Sequence, residues 1–225
     1  MQFMFFDVGG TLIDPYPSVG AIYERIGRDF GLALNEAEVE DVFRRVFTEH
    51  VRRAGDAPLA LGRDETTTHV WWRTLVFQLF DVLGFDGDRE GLFRAYFEAF
   101  EAPAAWRVHD DVLPALDALK VRGVGMGVIS NWDYRLPPLL EALGLATYFD
   151  PVVVSFREGV AKPSPELYRR ALDRVGLPPG EVRYVGDHRD LDLDPARALG
   201  MDAFLIDRSG SHADDRVVKA LTELV

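Results

Sequence analysis

The sequence has no cysteine among its 225 residues. This absence excludes disulfide bonds, thiolate nucleophiles and thiolate metal ligands, and it leaves the cellular compartment open. Long apolar runs are also missing. The most apolar helical stretch, residues 70–85, is interrupted by Arg73, Gln78 and Asp81, so no membrane-spanning helix is expected.

Basic residues are fewer than acidic ones. The chain has 25 Lys and Arg against 37 Asp and Glu, which gives a formal net charge of -12 at pH 7. This charge argues against sequence-independent binding to nucleic acid and against binding to anionic membranes. The chain does not open with a basic segment and a long apolar region, so no signal peptide is expected. We therefore expect a cytoplasmic protein.

Hydrophobic residues make up 48% of the sequence, which is enough for a sizeable core. An apolar run at residues 3–6 has the length of a buried strand. Strands are also predicted at 124–129, 152–154, 182–185 and 203–206, and they alternate with helices at 111–121, 136–143, 165–175, 196–199 and 214–224. Such alternation predicts an α/β fold with a doubly wound, mostly parallel, Rossmann-like sheet.

Between the first strand and the second, the apolar spacing is helical. Four helices are predicted, at residues 22–30, 39–47, 66–83 and 89–100, the third of them ended by Gly84. We therefore predict a Rossmann-like core formed by residues 1–14 and 104–225. An all-helical cap, residues 15–103, is expected to interrupt it.

Polar residues follow four of the predicted strands. In chain order they are Asp7, Ser130 with Asn131, Lys162, and Asp187 with Asp192 five residues further on. The carboxyl ends of parallel strands lie at one edge of a sheet, so these groups are expected to meet there. Two carboxylates at one site repel each other. A hard cation such as Mg²⁺ between Asp7 and Asp187 would remove this repulsion.

These segments, in this order around a helical insertion, resemble the haloacid dehalogenase superfamily, in the branch with a helical cap after the first strand. The resemblance rests on 7–11 (Asp-Val-Gly-Gly-Thr), 130–131 (Ser-Asn), 162–163 (Lys-Pro) and 186–187 (Gly-Asp) with Asp192. It implies a hydrolase whose nucleophile is Asp7. It further implies that Mg²⁺ is held by Asp7, Asp187 and the backbone carbonyl of Gly9.

The resemblance also implies which residues hold the transferred group. These are Ser130, Asn131 and Lys162. We add Gly10 and Thr11 of the first turn to the substrate-binding set. Asp192 is expected to contact these residues rather than the substrate or the metal. A carboxylate can attack phosphorus to form an acyl phosphate, which divides one difficult displacement into two easier ones. The expected reaction is therefore hydrolysis of a small phosphorylated metabolite through an aspartyl phosphate.

Gly9 departs from the family pattern, because phosphatases of the family usually carry a second aspartate there as general acid and base. Losing such a group typically costs roughly 10²- to 10⁴-fold in rate. His188 is one conceivable substitute, although a solvent-facing loop position is the simpler interpretation. Two other functions stay open: a metal-independent 2-haloacid dehalogenase, which needs no acid there, and a phosphate-binding or interaction protein of weak activity. The retained Asp187 favours the metal-dependent phosphohydrolase.

Overall fold

The computed structural model of the protein describes residues 2–32, 35–53, 64–211 and 215–225. The strands in these ranges are β1 (Phe3–Phe6), β2 (Ile13–Pro15), β3 (Trp106–Val108), β4 (Gly125–Ser130), β5 (Val152–Val154), β6 (Val182–Gly186), β7 (Asp202–Ile206) and β8 (Val217–Val218). The helices are α1 (Val19–Asp29), α2 (Glu36–Arg53), α3 (Glu65–Leu83), α4 (Arg89–Glu101), α5 (Val112–Val121), α6 (Leu136–Ala142), α7 (Ser155–Glu158), α8 (Pro165–Val175) and α9 (Asp194–Ala198).

Six strands form one sheet in the order β5-β4-β1-β6-β7-β8, and each neighbouring pair is parallel. Side chains alternate across a strand, so β1 serves both faces of the sheet. Met4 and Phe6 pack into a core with α5 and α6, whereas Phe3 and Phe5 pack into a second core with α8 and α9. The predicted doubly wound parallel sheet is confirmed.

Helices α1 to α4 lie between β2 and β3 in the chain and share an apolar core of their own, which includes Tyr23, Phe80 and Tyr96. Their ends follow local signals. Asp64 caps the start of α3 by accepting a hydrogen bond from Thr67 N at 2.7 Å, and Gly84 ends it in the left-handed conformation. The division into a cap at residues 15–103 and a core at 1–14 and 104–225 stays a prediction.

A small antiparallel sheet joins the two ends of this helical insertion. Ile13 pairs with Val108 and Pro15 with Trp106, so β2 and β3 run side by side where the chain leaves and re-enters the core. Neither strand was expected from the sequence. Within the described ranges, no helix combines the length and apolar character that a bilayer crossing requires.

The predicted helix at residues 214–224 is wrong. Residue 214 lies outside the described ranges, but from residue 215 onward the chain forms β8 and then a short 3₁₀ turn at Leu221–Leu224. Val217 and Val218 pair with Leu205 and Ile206 of β7. β-branched side chains suit a strand better than a helix, and β7 offers a free edge for this pairing.

Candidate active site

Asp7 and Lys162 meet at the carboxyl edge of the sheet. Asp7 follows β1 directly, and its backbone N–H donates to the Val185 carbonyl at 2.9 Å. Lys162 stands three residues before α8, and its Nζ lies 2.8 Å from Asp7 Oδ1 and 2.6 Å from Asp192 Oδ1. All three side chains are buried. The sequence-based expectation that these distant segments converge is therefore met by the geometry.

Asn131 and Asp192 fix the position of Lys162. The Asn131 side chain accepts from Lys162 N at 2.7 Å and donates to Lys162 O at 3.0 Å. Asp192 Oδ1 accepts from Lys162 Nζ and also from the Tyr184 hydroxyl, both at 2.6 Å. The Asn131 amide thus bonds the backbone of Lys162. Its role in substrate binding stays a prediction.

The charges of the buried cluster depend on one another. Burial would lower the pKa of Lys162, but the attraction of Asp192 and Asp7 outweighs it and raises that pKa above its ordinary value. Burial, which the charge of Asp192 reinforces, raises the pKa of Asp7 above its ordinary value, although the Lys162 ammonium acts in the opposite direction. Ser130 is the last residue of β4 and is buried, and its role in holding the transferred group stays a prediction. The lysine remains a cation, and it favours the ionised form of Asp7.

Asp187 completes the acidic group. One carboxylate oxygen each from Asp7, Asp187 and Asp192 lies within 4.8 Å of the other two. The residue as a whole is exposed, but its carboxyl group packs onto Gly10, where any Cβ would collide with it. Loss of hydration, and then the negative charges of Asp7 and Asp192, raise the pKa of Asp187 to about 8.

Two buried polar atoms at this edge have no hydrogen-bond partner among the described residues: Asp7 Oδ1 and Thr11 Oγ1. Asp7 Oδ1 does have an ion-pair partner, Lys162 Nζ at 2.8 Å. Buried polar atoms are normally satisfied, so these two are suited to a ligand. Asp7 and Asp187 therefore fit a hard cation, whose preferred ligands are oxygens. Asp192 fits less well, because Lys162, Tyr184 and the His188 N–H already occupy its oxygens.

Gly9 brings no side chain to the site. A side chain at this position would contact the Trp132 ring. A Cβ built on Gly9 would stand 3.4 Å from Trp132 Cζ3. His188, the conceivable substitute acid, is exposed, and its backbone N–H donates to Asp192 Oδ2 at 2.9 Å. The role of its imidazole stays a prediction, as does metal binding by the Gly9 carbonyl.

Two features of the site were missed from the sequence. Arg208, just beyond β7, donates to the carbonyls of Gly10 and Thr11 at 3.3 and 2.9 Å, and so holds the turn that follows the Asp7 strand. Its separation of nearly 200 residues from that turn leaves no local signal. Tyr184 was read only as a strand residue, although a hydroxyl on a fully buried side chain needs a partner.

A cavity of about 270 Å³ opens beside Gly9, between the sheet edge and helices α1 to α4. Its wall is formed largely by aromatic rings, among them Phe43, Phe47, Trp72 and Trp132. Helical spacing alone does not separate a core residue from a cavity-lining one, so the sequence pattern of the helices does not identify this wall.

The parallel sheet, the helical insertion after its first strand and the Asp–Lys–Asp edge define a hydrolase of the haloacid dehalogenase type. The chain belongs to the haloacid dehalogenase-like hydrolases, a family that it matches over residues 1–200. It is similar to haloacid dehalogenase-like hydrolase domain-containing protein 3 of Danio rerio, with 32% identity over 100% of this chain and 95% of the relative.

Other similar proteins differ in activity. A phosphoserine phosphatase of Thermus thermophilus is 29% identical over 92% of this chain and 89% of its own length. The crystal structure of a dehalogenase superposes with a TM-score of 0.75 at 23% identity, over 100% of this chain and 95% of that one. The second likeness shows the fold alone. Membership of the family therefore shows that the chain is a hydrolase. Which bond it cleaves has to be argued from the site.

Proposed function

We propose that this protein is a Mg²⁺-dependent phosphohydrolase that acts on a small phosphorylated metabolite through an aspartyl phosphate on Asp7. The observation that carries the proposal is the meeting of three charged groups: Asp7 Oδ1 lies 2.8 Å from Lys162 Nζ, and a carboxylate oxygen of Asp7 lies within 4.8 Å of one of Asp187. A nucleophile, a cation and a second carboxylate are thereby gathered at one point. The similarity to a phosphoserine phosphatase supports the same chemistry.

In the first step the Asp7 carboxylate attacks phosphorus. The bond from phosphorus to the leaving oxygen breaks, and its electron pair stays on that oxygen. We assign the three phosphoryl oxygens to the Lys162 ammonium and to the Ser130 and Thr11 hydroxyls, because the charge on these oxygens must be stabilised in the transition state. When bound between Asp7 and Asp187, Mg²⁺ would supply further positive charge there and relieve the carboxylate repulsion.

In the second step water hydrolyses the acyl phosphate, which returns the Asp7 carboxylate and yields hydrogen phosphate and one proton. The side chain at residue 9 cannot deliver or accept this proton, because Gly9 has none. The proton therefore passes to solvent or to the departed alkoxide. We expect slow turnover of esters whose alcohols are weak acids, and faster turnover where the leaving group needs no protonation.

The absence of an acid at Gly9 also favours a second candidate, metal-independent dehalogenation of 2-haloacids, since a halide leaves without a proton. Asp187 argues against dehalogenation, because a second carboxylate beside Asp7 would repel an acidic substrate unless a cation lay between the carboxylate and the substrate. The third candidate is a phosphate-binding protein of weak activity. All three make different predictions in one screen.

The screen tests phosphate esters and 2-haloacids, each with Mg²⁺ and with EDTA. The phosphohydrolase proposal expects inorganic phosphate only when Mg²⁺ is present. Halide release in EDTA would replace it with the dehalogenase. Phosphate binding in a calorimeter without any turnover would replace it with the binding protein.

A further inference from the structure

The wall of the cavity beside Gly9 is mostly apolar, which limits the kinds of substrate group that it can bind. Ten of its wall residues carry Phe, Tyr or Trp rings, and Val19 and Val76 add aliphatic surface. An apolar cavity of roughly 150 Å³ is known to bind benzene, so about 270 Å³ holds a substituted ring or two fused rings. The wall therefore suits a flat apolar group.

Most of the polar groups in the wall already have hydrogen-bond partners within the protein. Asp133 accepts from Trp72 Nε1 at 2.9 Å and from the Arg135 guanidinium at 2.6 and 2.9 Å. The Arg135 guanidinium also lies 4.3 Å from the centre of the Phe97 ring. The side-chain amide of Asn131 is hydrogen-bonded to the backbone of Lys162. A sugar or amino-acid substrate would thus lose hydration in this cavity without gaining matching hydrogen bonds.

The cavity meets the reaction centre at Gly9 and Asn131, which both line it. Gly9 is two residues from the nucleophile, and the Trp132 ring flanks it at contact distance. The leaving group of a phosphate ester bound beside Asp7 would therefore extend along Trp132 into the aromatic cavity. The same glycine removes the acid that would protonate this group as it leaves.

From these two observations we infer that the substrate is an aryl phosphate, whose ring occupies the aromatic cavity and whose phenolate leaves without protonation. The inference rests on the proposed phosphohydrolase activity and names its substrate class. Asp7 attacks phosphorus, the phosphorus–oxygen bond breaks, and the electron pair leaves on the phenolate oxygen. Water then hydrolyses the acyl phosphate, and the proton released in that step neutralises the phenolate in solution.

The test compares 2-naphthyl phosphate with acetyl phosphate, both with the Mg²⁺-loaded protein. Acetate has no ring and is a better leaving group than 2-naphtholate, so leaving-group chemistry alone would favour acetyl phosphate. We expect kcat/KM for 2-naphthyl phosphate to be at least about tenfold higher. The product 2-naphthol, which has no phosphate, should itself quench tryptophan fluorescence by binding next to Trp72 and Trp132. This binding is measured independently of any turnover.

Filling the cavity provides the matched comparison. Val76→Phe adds a ring to the wall, whereas Val82→Phe adds the same ring at an exposed position of the same helix. The ratio of the two kcat/KM values should fall about tenfold or more in Val76→Phe and stay at the wild-type value in Val82→Phe. Should Val76→Phe not fold, Phe47→Glu changes a half-buried wall residue, and Val70→Glu is its exposed control.

The outcomes separate the two proposals. Mg²⁺-dependent hydrolysis of acetyl phosphate, with no preference for 2-naphthyl phosphate and no binding of 2-naphthol, would overturn the substrate class and leave the phosphohydrolase intact. No phosphate release from either ester would overturn the phosphohydrolase and this inference with it. An equal loss of both activities in Val76→Phe and Val82→Phe would also contradict the role of the cavity.

Discussion

Arg208 Nη2 donates to both oxygens of Asp111, at 2.9 and 3.1 Å, although the two residues stand 97 positions apart. The same guanidinium bonds the carbonyls of Gly10 and Thr11. Asp111 also accepts from Leu221 N at 2.6 Å. This carboxylate therefore links the turn after the Asp7 strand to the C-terminal segment, which the sequence had assigned to a helix.

The Asp111 link should make part of the stability depend on pH. Burial would raise the pKa of Asp111, but the Leu221 N–H and the Arg208 guanidinium outweigh it and hold that pKa below 3.8. A carboxyl group whose pKa is lower in the folded state stabilises the protein above the unfolded pKa, and this contribution is lost as the pH falls through the folded one. Asp111→Asn should therefore cost about 1 to 3 kcal/mol at pH 7, and less at pH 3.

Urea unfolding at both pH values measures this difference. Asp110→Asn is the matched control, because the neighbouring Asp110 is exposed and should change little at either pH. A stability gap between wild type and Asp111→Asn that is the same at pH 7 and pH 3 would show that the charge of Asp111 does not contribute.

Lys162 is the only cation that the structure describes in direct contact with Asp7 and Asp192. Removing one partner of a buried ion pair leaves an uncompensated charge and typically costs about 3 to 5 kcal/mol. Lys162→Met should show a loss of this size in urea unfolding. Adding Asp192→Asn removes one of the stranded carboxylates, so the double variant should lose less than the sum of the two single losses. Strictly additive losses would mean that the two side chains are not coupled.

Mg²⁺ should raise the melting temperature of the protein, because a ligand that binds only the folded state stabilises it by about 2.7 kcal/mol at one hundred times its dissociation constant. Asp187→Asn should abolish this rise, since Asp187 is the proposed metal ligand nearest to solvent. Asp190→Asn, at an exposed position three residues later, should retain it. An equal Mg²⁺ effect in both variants would place the cation elsewhere.

Gly9→Asp should restore the missing proton transfer. The backbone of Gly9 does not require glycine, and the new Cβ would make an ordinary contact with Trp132. The variant should raise turnover of an alkyl phosphate by about tenfold or more and change turnover of 4-nitrophenyl phosphate much less. Gly9→Asn has the same shape without a titrating proton, and it should not produce this selective gain. Equal gains on both esters would show that protonation is not what the wild type lacks.

The convergence at the sheet edge could be predicted because parallel strands end on one side of a sheet, whatever the sequence distance between them. Asp7 and Asp187 directly follow strands, Ser130 ends one, and Lys162 comes in the loop after β5 and α7. The apolar runs of these strands are plain in the sequence, and the order of the segments carried the family resemblance. Local signals were sufficient here.

Other features depend on partners that no local pattern reveals. The β2–β3 pair joins the two ends of the helical insertion, and β8 adds to the edge of β7. The alternation around Arg107 was a usable strand signal for β3. Nothing in the sequence near Trp132 or Arg208 indicated which residues of the first turn they contact.

The nucleophile assignment is tested most directly by rapid acid quench during hydrolysis of 4-nitrophenyl phosphate with Mg²⁺, followed by mass spectrometry of the peptide that contains Asp7. We predict that this peptide gains one phosphoryl group in the wild type and in Asp173→Asn, an exposed control. Asp7→Asn should show neither the adduct nor hydrolysis while it unfolds as cooperatively as the wild type. Hydrolysis by Asp7→Asn at the wild-type rate, or a phosphoryl group on another residue, would contradict the account.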